Sequence, residues 1–253
     1  MNRSYHLWTN EDKNYLIEYY GKIKASEISL NLNVSKNSVI LMANKLGLKT
    51  NQSIVKRKYS FNDNFFSNIN NTSSYFAGLM AADGNIELKR PRFHISLCDK
   101  ILIESFAKCL NFNGKIYEIQ PYNLSRLIQY KLSISSKVMV DDLKNIWNII
   151  PRKSFILEPP KLTLLEHKLA FIVGYIDGDG CICNTSRFNL SCVGSFKMIN
   201  WISEILGTTV NSHKHIFCTQ VAREKAKDIC KKLYQVETPI KLPRKWNKVK
   251  ELL

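Results

Sequence analysis

The apolar positions of the chain follow a helical period at its start and recur later in two longer stretches of similar pattern. Thr9 or Asn10 can cap the first helix, and Ser35 can cap the third. A tight turn at 33–35 precedes this third helix. Three short helices in this order predict a small all-α helix-turn-helix domain. The helical spacing covers about 10–20, 25–32 and 36–46.

The third predicted helix offers side chains that can reach DNA bases or phosphates. They are Lys36, Asn37, Ser38 and Asn44. A small helical cap without a ligand is the plainer interpretation. The stretch W-T-x-E-D…Y…EIS…L…S…SV…A-x-x-LGL resembles the SANT-like or Myb-like helix-turn-helix domains of mobile-element proteins. This resemblance implies DNA binding by residues 1–50.

An internal repeat organises the rest of the chain. The segment from Tyr75 to Gly84 recurs 96 residues later, which aligns Asp83 with Asp179. Arg92-Phe93-His94-Ile95-Ser96 recurs at an offset of 95 as Arg187-Phe188-Asn189-Leu190-Ser191, and 151–153 recurs at 92 as 243–245. We expect a duplicated fold with four parts: a helix-turn-helix domain at 1–50, an Asn-, Ser- and Lys-rich linker at 51–73, and repeats at 74–160 and 161–253.

Each repeat has the same predicted order of elements. An apolar helix ends in Asp-Gly, and two alternating strands, a helix, two strands and a helix follow. The predicted class is therefore α+β, an αββαββα unit present twice. The strands are expected at about 85–89, 92–98, 115–120 and 127–135, then at 181–184, 187–193, 208–212 and 215–221.

Small residues line one face of the first helix in each repeat. Gly78 and Ala82 are four apart, as are Gly174 and Gly178. Glycine inside a helix costs about 1 kcal/mol relative to alanine, so close packing of two backbones is the expected reason for it. The helices then pack about a pseudo-twofold axis, which brings their carboxyl ends together.

Asp83 and Asp179 end these two helices. A carboxylate is misplaced at the negative end of a helix dipole, and two adjacent carboxylates repel each other. The pair is understandable if Mg²⁺ lies between them, held by carboxylates and by backbone carbonyls such as those of Ala82 and Gly178. A turn-forming aspartate before glycine is the alternative for either residue alone.

The alternating strands each expose a polar, donor-rich face. Period two places one side of the strand on the core and leaves the other outside. Side chains of these types read the major groove, where a β-ribbon fits, although a solvated face is the bland alternative. The candidate DNA-binding residues are Arg92, His94, Ser96, Gln129, Lys131, Ser133, Arg187, Asn189 and Ser191.

The overall charge agrees with a nucleic-acid partner. The formal net charge is +16 at pH 7, with 37 Lys+Arg against 21 Asp+Glu, which favours binding to a polyanion. No apolar run reaches the ~20 residues that span a bilayer, and no signal peptide is evident. The seven scattered cysteines are expected to be reduced and mostly buried. We expect a soluble, intracellular protein of the cytoplasm or nucleoid, with a phage, bacterial or organellar host.

The repeated segments FAGLMAADG and VGYIDGDG resemble the motif of the LAGLIDADG homing endonucleases. The resemblance covers roughly 74–250 and implies saddle-shaped antiparallel sheets, metal bound by Asp83 and Asp179, and Mg²⁺ with Mn²⁺ or Ca²⁺ as substitutes. Ala81 replaces the first acidic residue of the motif in the first copy. This replacement is expected to affect a hydrogen bond at the helix end more than it affects metal-dependent cleavage.

The resemblance also implies a lysine near the active site in each half. Lys153 and Lys245 occupy this position, although ordinary backbone clamps are the alternative. Arg152 and Arg244 are expected to contact phosphate or to cap a strand. Two copies in one chain imply a monomer that cuts double-stranded DNA at a long asymmetric site and leaves 3′ overhangs.

Two other functions remain open. A non-cleaving DNA-binding regulator or an intron RNA maturase can keep the fold, although both metal-binding positions are intact here. An intein remnant is disfavoured by the leading three-helix segment and by the absence of a splicing Asn at the end KVKELL.

Overall fold

The computed structural model describes residues 6–49, 57–121, 127–184, 186–213 and 216–253. The chain divides into two compact units, Met1–Tyr59 and Ser60–Leu253. Residues 51–56 of the linker predicted at 51–73 lie outside the described ranges.

The smaller unit contains the three predicted helices. They are α1 (Asn10–Tyr19), α2 (Ala25–Asn31) and α3 (Lys36–Lys45). Thr9 caps α1 by accepting from the Asp12 amide, and Ser35 caps α3 by accepting from the Ser38 amide. Its core is formed by Leu16, Ala25, Ile28, Val39 and Ala43.

The larger unit confirms the predicted αββαββα order in both repeats. The first repeat contains α4 (Asn71–Asp83), β1 (Gly84–Ile86), β2 (Arg92–Leu97), α5 (Lys100–Cys109), β3 (Tyr117–Ile119), β4 (Gln129–Ser135) and α6 (Lys137–Asn145). A 3₁₀ turn at Lys153–Phe155 follows. The second contains α7 (Leu165–Asp179), β5 (Gly180–Asn184), β6 (Phe188–Gly194), α8 (Phe196–Leu206), β7 (Val210–His213), β8 (Ile216–Ala222), α9 (Arg223–Gln235) and α10 (Pro243–Lys250).

Each repeat forms one antiparallel four-stranded sheet. The strand orders are β1-β2-β4-β3 and β5-β6-β8-β7, which are the same order in the two repeats. The inner faces of the strands pack on the helices through residues such as Phe93, Ile95, Leu190 and Cys192. The duplicated α+β architecture predicted from the sequence is therefore present.

Helices α4 and α7 pack against each other through their glycines. A methyl group on Gly78 would lie 2.0 Å from the Phe171 carbonyl oxygen, and one on Gly174 would lie 1.9 Å from the Tyr75 carbonyl oxygen. The two contacts are reciprocal, as a pseudo-twofold axis requires. Within the described ranges, no helix has the combined length and apolar character needed to cross a membrane.

The predicted linker at 51–73 is too long at its carboxyl end. Phe65 and Phe66 are buried in the core of the larger unit, and the Trp147 indole Nε1 donates to the Phe66 carbonyl at 2.9 Å. Helix α4 also begins at Asn71, with Asn70 as its cap. Asparagine and serine are common both in loops and at helix caps. A prediction from composition alone therefore placed the end of the linker too late in the chain.

The strand register corrects one sequence match. Ile86 pairs with Phe93 in the first repeat, and Ile182 pairs with Leu190 in the second. Arg92 therefore corresponds to Asn189, and Arg187 lies in a bend before β6 rather than at the position of Arg92. A shift of two residues preserves the alternation of a strand, so the sequence pattern could not reveal it.

Candidate active site

Asp83 and Asp179 are the last residues of the packed helices α4 and α7. A methyl group on Gly178 would lie 2.8 Å from Asp83 Oδ2, so the Asp83 carboxylate rests against the end of the other helix, one residue before Asp179. Both aspartate side chains still reach the surface. The structure thus brings the two predicted metal-binding carboxylates to one place.

The two carboxylates disfavour each other's charge. Loss of hydration raises the pKa of Asp83 to about 6, the negative charge of Asp179 adds to this, and the two lysine charges oppose it. Loss of hydration also raises the pKa of Asp179, again against the charges of Lys153 and Lys245. A cation placed between the two carboxylates would oppose this increase in their pKa.

Lys153 and Lys245 lie at these helix ends as the sequence predicted, but they also cap the helices. Lys153 Nζ donates to the Ala82 carbonyl at 2.9 Å. Lys245 Nζ donates to the carbonyls of Ile176, Asp177 and Gly178 at 2.7, 2.8 and 3.0 Å. Helix-end carbonyls have no partner within the helix, which gives both lysines this second role. Burial lowers the pKa of each lysine, and the aspartate charges raise it.

The Asp177 carboxylate holds together three parts of the larger unit, a role that was not predicted. It is 2% exposed and accepts hydrogen bonds from the Tyr75 hydroxyl (2.6 Å), the Trp246 indole Nε1 (2.6 Å) and the Leu242 amide (3.1 Å). Trp246 and Leu242 flank Lys245 at the start of α10. Asp177 therefore positions the segment that carries this lysine.

The first repeat has no counterpart of this network. Ala81 occupies the position of Asp177, and Phe171 occupies the position of Tyr75. The hydroxyl donor and the carboxylate acceptor are both missing from the mirrored contact, which is apolar instead. This paired mismatch between the two copies was visible in the sequence and could have identified the hydrogen bond.

The two arginines beside the lysines have different environments. Arg244 forms three hydrogen bonds with the Asp99 carboxylate, at 3.0, 3.1 and 2.8 Å, and so joins the second repeat to the first. Arg152 precedes the 3₁₀ turn with a left-handed backbone, at φ 59°. Binding of phosphate by either arginine remains a prediction.

The outer face of the first sheet carries the predicted DNA-binding residues. Register places His94 opposite Ser133 and Ser96 opposite Lys131, with Gln129 further along β4. Arg92 Nε donates to Ser135 Oγ at 2.9 Å, and its guanidinium lies 3.5 Å from Glu87. The residues predicted to read DNA in this repeat therefore share one face.

The outer face of the second sheet includes Asn189 and Ser191, while Arg187 lies before the strand. Cys181 and Cys183 occupy the same face, opposite Ser191 and Asn189. The expectation that most cysteines are buried was wrong, since only Cys192 and Cys230 are buried. None of the seven is in a disulfide.

In the smaller unit, the predicted residues of α3 lie mostly at the surface. Lys36, Asn37 and Asn44 are exposed, and Ser38 is half-buried. The opposite side of α3 packs into that unit's core through Val39 and Ala43. This placement leaves the predicted DNA-contacting side chains accessible.

Among the described residues, no three His, Cys, Asp or Glu side chains converge as a metal site would require if side chains alone held the ion. The donors at the helix ends are two carboxylates and main-chain carbonyls. Carboxylate and carbonyl oxygens suit hard divalent ions such as Mg²⁺, which keeps several waters and commonly binds substrate phosphate. The donor set fits such an ion, provided that phosphate or water supplies the other ligands.

Comparison with known proteins identifies the fold. No family model and no curated protein matches the chain. The solved structure of the homing endonuclease I-WcaI bound to its DNA recognition sequence matches with a TM-score of 0.50 and 13% identity, over 80% of this chain and 96% of that one. Full-length DUF199/WhiA from Thermatoga maritima matches with a TM-score of 0.48 and 12% identity, over 75% of this chain and 63% of that one. The LAGLIDADG meganuclease I-AabMI bound to uncleaved DNA matches with a TM-score of 0.45 and 14% identity, over 72% of this chain and 88% of that one. The chain has the duplicated LAGLIDADG homing-endonuclease fold.

Proposed function

We propose that the protein is a site-specific endonuclease that hydrolyses both strands of DNA at a long asymmetric target and leaves 3′ overhangs. The observation that carries this proposal is the meeting of Asp83 and Asp179 at the ends of two packed helices, with a buried lysine beside each. Paired carboxylates with basic side chains are suited to phosphodiester hydrolysis. The formal charge of +16 supports a polyanionic substrate.

Asp83 and Asp179 would hold the divalent ion, Mg²⁺ or in vitro Mn²⁺ or Ca²⁺, together with the carbonyl oxygens of Ala82 and Gly178. Such an ion would lower the pKa of bound water and stabilise the charge of the leaving oxygen. Each of the two carbonyls already accepts a hydrogen bond from a lysine. The carboxylates are therefore the principal ligands in this proposal.

Lys153 and Lys245 supply positive charge beside the reacting phosphate. Their ammonium groups are fixed by helix-end carbonyls before substrate arrives, so little side-chain entropy is lost when DNA binds. Burial lowers the pKa of both lysines; the charges of Asp179 and Asp83 oppose this for Lys153, and those of Asp177 and Asp83 oppose it for Lys245. The lysines thus stabilise negative charge and position the helix ends at once.

The two outer sheet faces would lie in the major groove on either side of the cleavage position. Their neighbouring strands form ribbons of alternating side chains, a form that fits this groove. The small unit would bind DNA beyond the central site through Lys36, Asn37, Ser38 and Asn44. A single chain with both halves predicts a monomer.

A cleavage selection from a random double-stranded library, run with Mg²⁺ and with EDTA, tests the proposal. We expect Mg²⁺-dependent double-strand breaks at one long asymmetric sequence. Enrichment of a bound sequence without cleavage in Mg²⁺ would contradict the endonuclease function and identify a non-cleaving regulator. Binding restricted to intron RNA would instead identify a maturase.

Deletion of residues 1–50 tests the role proposed for the small unit. We expect weaker binding and a shorter footprint, because its contacts would lie outside the central site. The full-length chain on the same DNA is the control. An unchanged footprint would contradict DNA binding by this unit.

A further inference from the structure

The strand registers make the two outer sheet faces comparable position by position. Gly84 pairs with Ile95 and Gly180 pairs with Cys192, which fixes the correspondence of the two hairpins. Ser96 pairs with Lys131 in the first sheet, and Val193 pairs with Cys218 in the second. Lys131 and Cys218 therefore occupy equivalent positions, as do Arg92 and Asn189.

The outer face of the first sheet is charged and rich in hydrogen-bonding groups. Its cations are Arg92 and Lys131, and Glu87, opposite Arg92, lies 3.5 Å from the Arg92 guanidinium. One aliphatic side chain, Ile119, lies at its edge strand. The face consists of Asn85, Glu87, Arg92, His94, Ser96, Tyr117, Ile119, Gln129, Lys131, Ser133 and Ser135.

The outer face of the second sheet carries no charge in the part that the structure describes. Both cations of the first face are replaced by neutral side chains, and thiols or aliphatic groups fill most of the other positions. The amides on this face are Asn189, Asn211 and Gln220. The described face consists of Cys181, Cys183, Asn189, Ser191, Val193, Asn211, Ile216, Cys218, Gln220 and Ala222.

These apolar groups lie at the surface rather than in the core. Cys181, Val193 and Ile216 are exposed, and Cys218 is half-buried. The core side of the same strands is occupied by Ile182, Leu190 and Cys192. The structure therefore leaves an apolar, amide-containing ribbon available for a partner, in a chain whose net charge of +16 favours DNA as that partner.

We propose that the second sheet recognises an A·T-rich half-site through thymine methyl groups and adenine edges, whereas the first sheet recognises a half-site that contains guanine. This inference rests on the proposed DNA-binding function. Apolar side chains contact the thymine C5-methyl group, and Asn or Gln pairs with adenine N6 and N7. Lys and Arg pair with guanine O6 and N7.

The first experiment assigns each half-site to a sheet. Binding selection from a random library is run for the full chain, for Lys131→Ala and for Gln220→Ala. Each substitution relaxes base preference in the half that its sheet contacts. We expect the half relaxed by Gln220→Ala to be richer in A·T pairs, and equal composition in the two halves would overturn the inference.

The second experiment removes only the methyl groups. Every thymine of one half-site is replaced by deoxyuridine, which keeps the base-pairing edge unchanged. We expect affinity to fall about fourfold for each contacted methyl group in the second sheet's half. The same replacement in the first sheet's half is the control, where little loss is expected. Full affinity after replacement in the second sheet's half would overturn the inference.

Reciprocal exchange of the equivalent residues adds a test that does not depend on overall affinity. Cys218→Lys is expected to introduce a preference for guanine in the second sheet's half, and Lys131→Cys is expected to remove one in the first. Both positions are at the surface, so the fold should tolerate the changes, and reducing agent keeps the thiols unmodified. Unchanged base preference in both variants would overturn the inference.

The two levels of failure can be told apart. A library that yields no preferred DNA sequence would overturn the proposed function and this inference with it. A defined site that is cut, but whose methyl groups contribute nothing, would overturn only the inference.

Discussion

The two repeats present the same side chains to the helix ends but hold them to different degrees. Lys245 donates to three carbonyls, and its segment is also fixed by Asp177 and by the ion pair of Arg244 with Asp99. Lys153 donates to one carbonyl, and the neighbouring Arg152 has a left-handed backbone. The carboxylate pair is symmetric in sequence, while the structure that supports it is not.

The difference shows which features a duplicated fold has retained in both halves. The packing of α4 against α7 is reciprocal, since a methyl group would lie 2.0 Å from a carbonyl oxygen of the other helix at Gly78 and 1.9 Å at Gly174. Among the described outer-face residues, charged side chains occur on the first sheet only. The Asp177 network also lacks a mirror image, although its Tyr75–Asp177 hydrogen bond joins α4 to α7. The close backbone packing at the two glycines is therefore shared by both repeats, whereas side-chain hydrogen bonds can differ even across the pseudo-twofold axis.

The largest expected effect is the loss of DNA cleavage when either of the two paired carboxylates is removed. Asp83→Asn and Asp179→Asn should each reduce cleavage by at least about 10³-fold, because each removes one ligand of a shared metal. Binding should persist, as measured by gel shift on the same DNA. The double variant should cut no more slowly than either single one.

Wild-type cleavage by either aspartate variant would show that the two carboxylates do not share one centre. Glu104→Gln on α5 is a control, since it removes an exposed acid of the same repeat that lies away from the helix ends and pairs with Lys100. Cleavage by this variant should stay near that of the parent chain.

Substitution of the packed glycine should lower stability equally in the two repeats. Gly78→Ala and Gly174→Ala should each lower the free energy of unfolding by roughly 4 kcal/mol, because the new methyl group overlaps a backbone carbonyl. Helix propensity alone predicts the opposite sign, a gain of about 1 kcal/mol. Urea denaturation distinguishes the two, and a stabilised variant would contradict the close packing.

Substitutions in the Asp177 network should lower stability, whereas the mirrored positions Ala81 and Phe171 have no such hydrogen bond to lose. Asp177→Ala should cost about 3 kcal/mol of unfolding free energy, since buried donors lose their acceptor, and Tyr75→Phe should cost about 1 kcal/mol. Ala81→Asp in the other copy should also destabilise, because it buries a carboxylate against Phe171. Adding Phe171→Tyr to Ala81→Asp supplies the missing donor and should recover about 1 kcal/mol. No recovery would contradict the proposed equivalence of the two contacts.

The smallest effects are expected at the arginines. Arg244→Ala should cost at most about 1 kcal/mol, because the Arg244 side chain is 60% exposed and solvent weakens its ion pair with Asp99. Arg152→Gly should instead stabilise by up to about 1 kcal/mol by relieving the left-handed backbone of a non-glycine residue. Thermal denaturation would measure the change in stability of both variants. Changes of the same sign would contradict the difference inferred between the segments of Arg152 and Arg244.

Much of the fold could be predicted because its signals are local and occur twice. Alternating apolar residues and the Asp-Gly ends of two helices fixed the αββαββα order, and the Gly78 and Gly174 spacing predicted the helix contact. The paired aspartates and the matching lysines followed from the repeat. The boundary near Phe65 was wrong, because burial of two phenylalanines depends on residues distant in the sequence, such as Trp147.

The sequence by itself determined the duplication, the order of elements and the residues at the helix ends, since these depend on periodicity and on similarity between the copies. Only the tertiary structure decided that Lys153 and Lys245 cap those ends, that Asp177 also accepts from Trp246 and Leu242, and that Arg187 lies outside its strand. Hydrogen bonds between distant segments leave no periodic signal, and a two-residue shift in a strand preserves its pattern. The difference between the two outer faces therefore emerges only when strand pairing fixes which residues are equivalent.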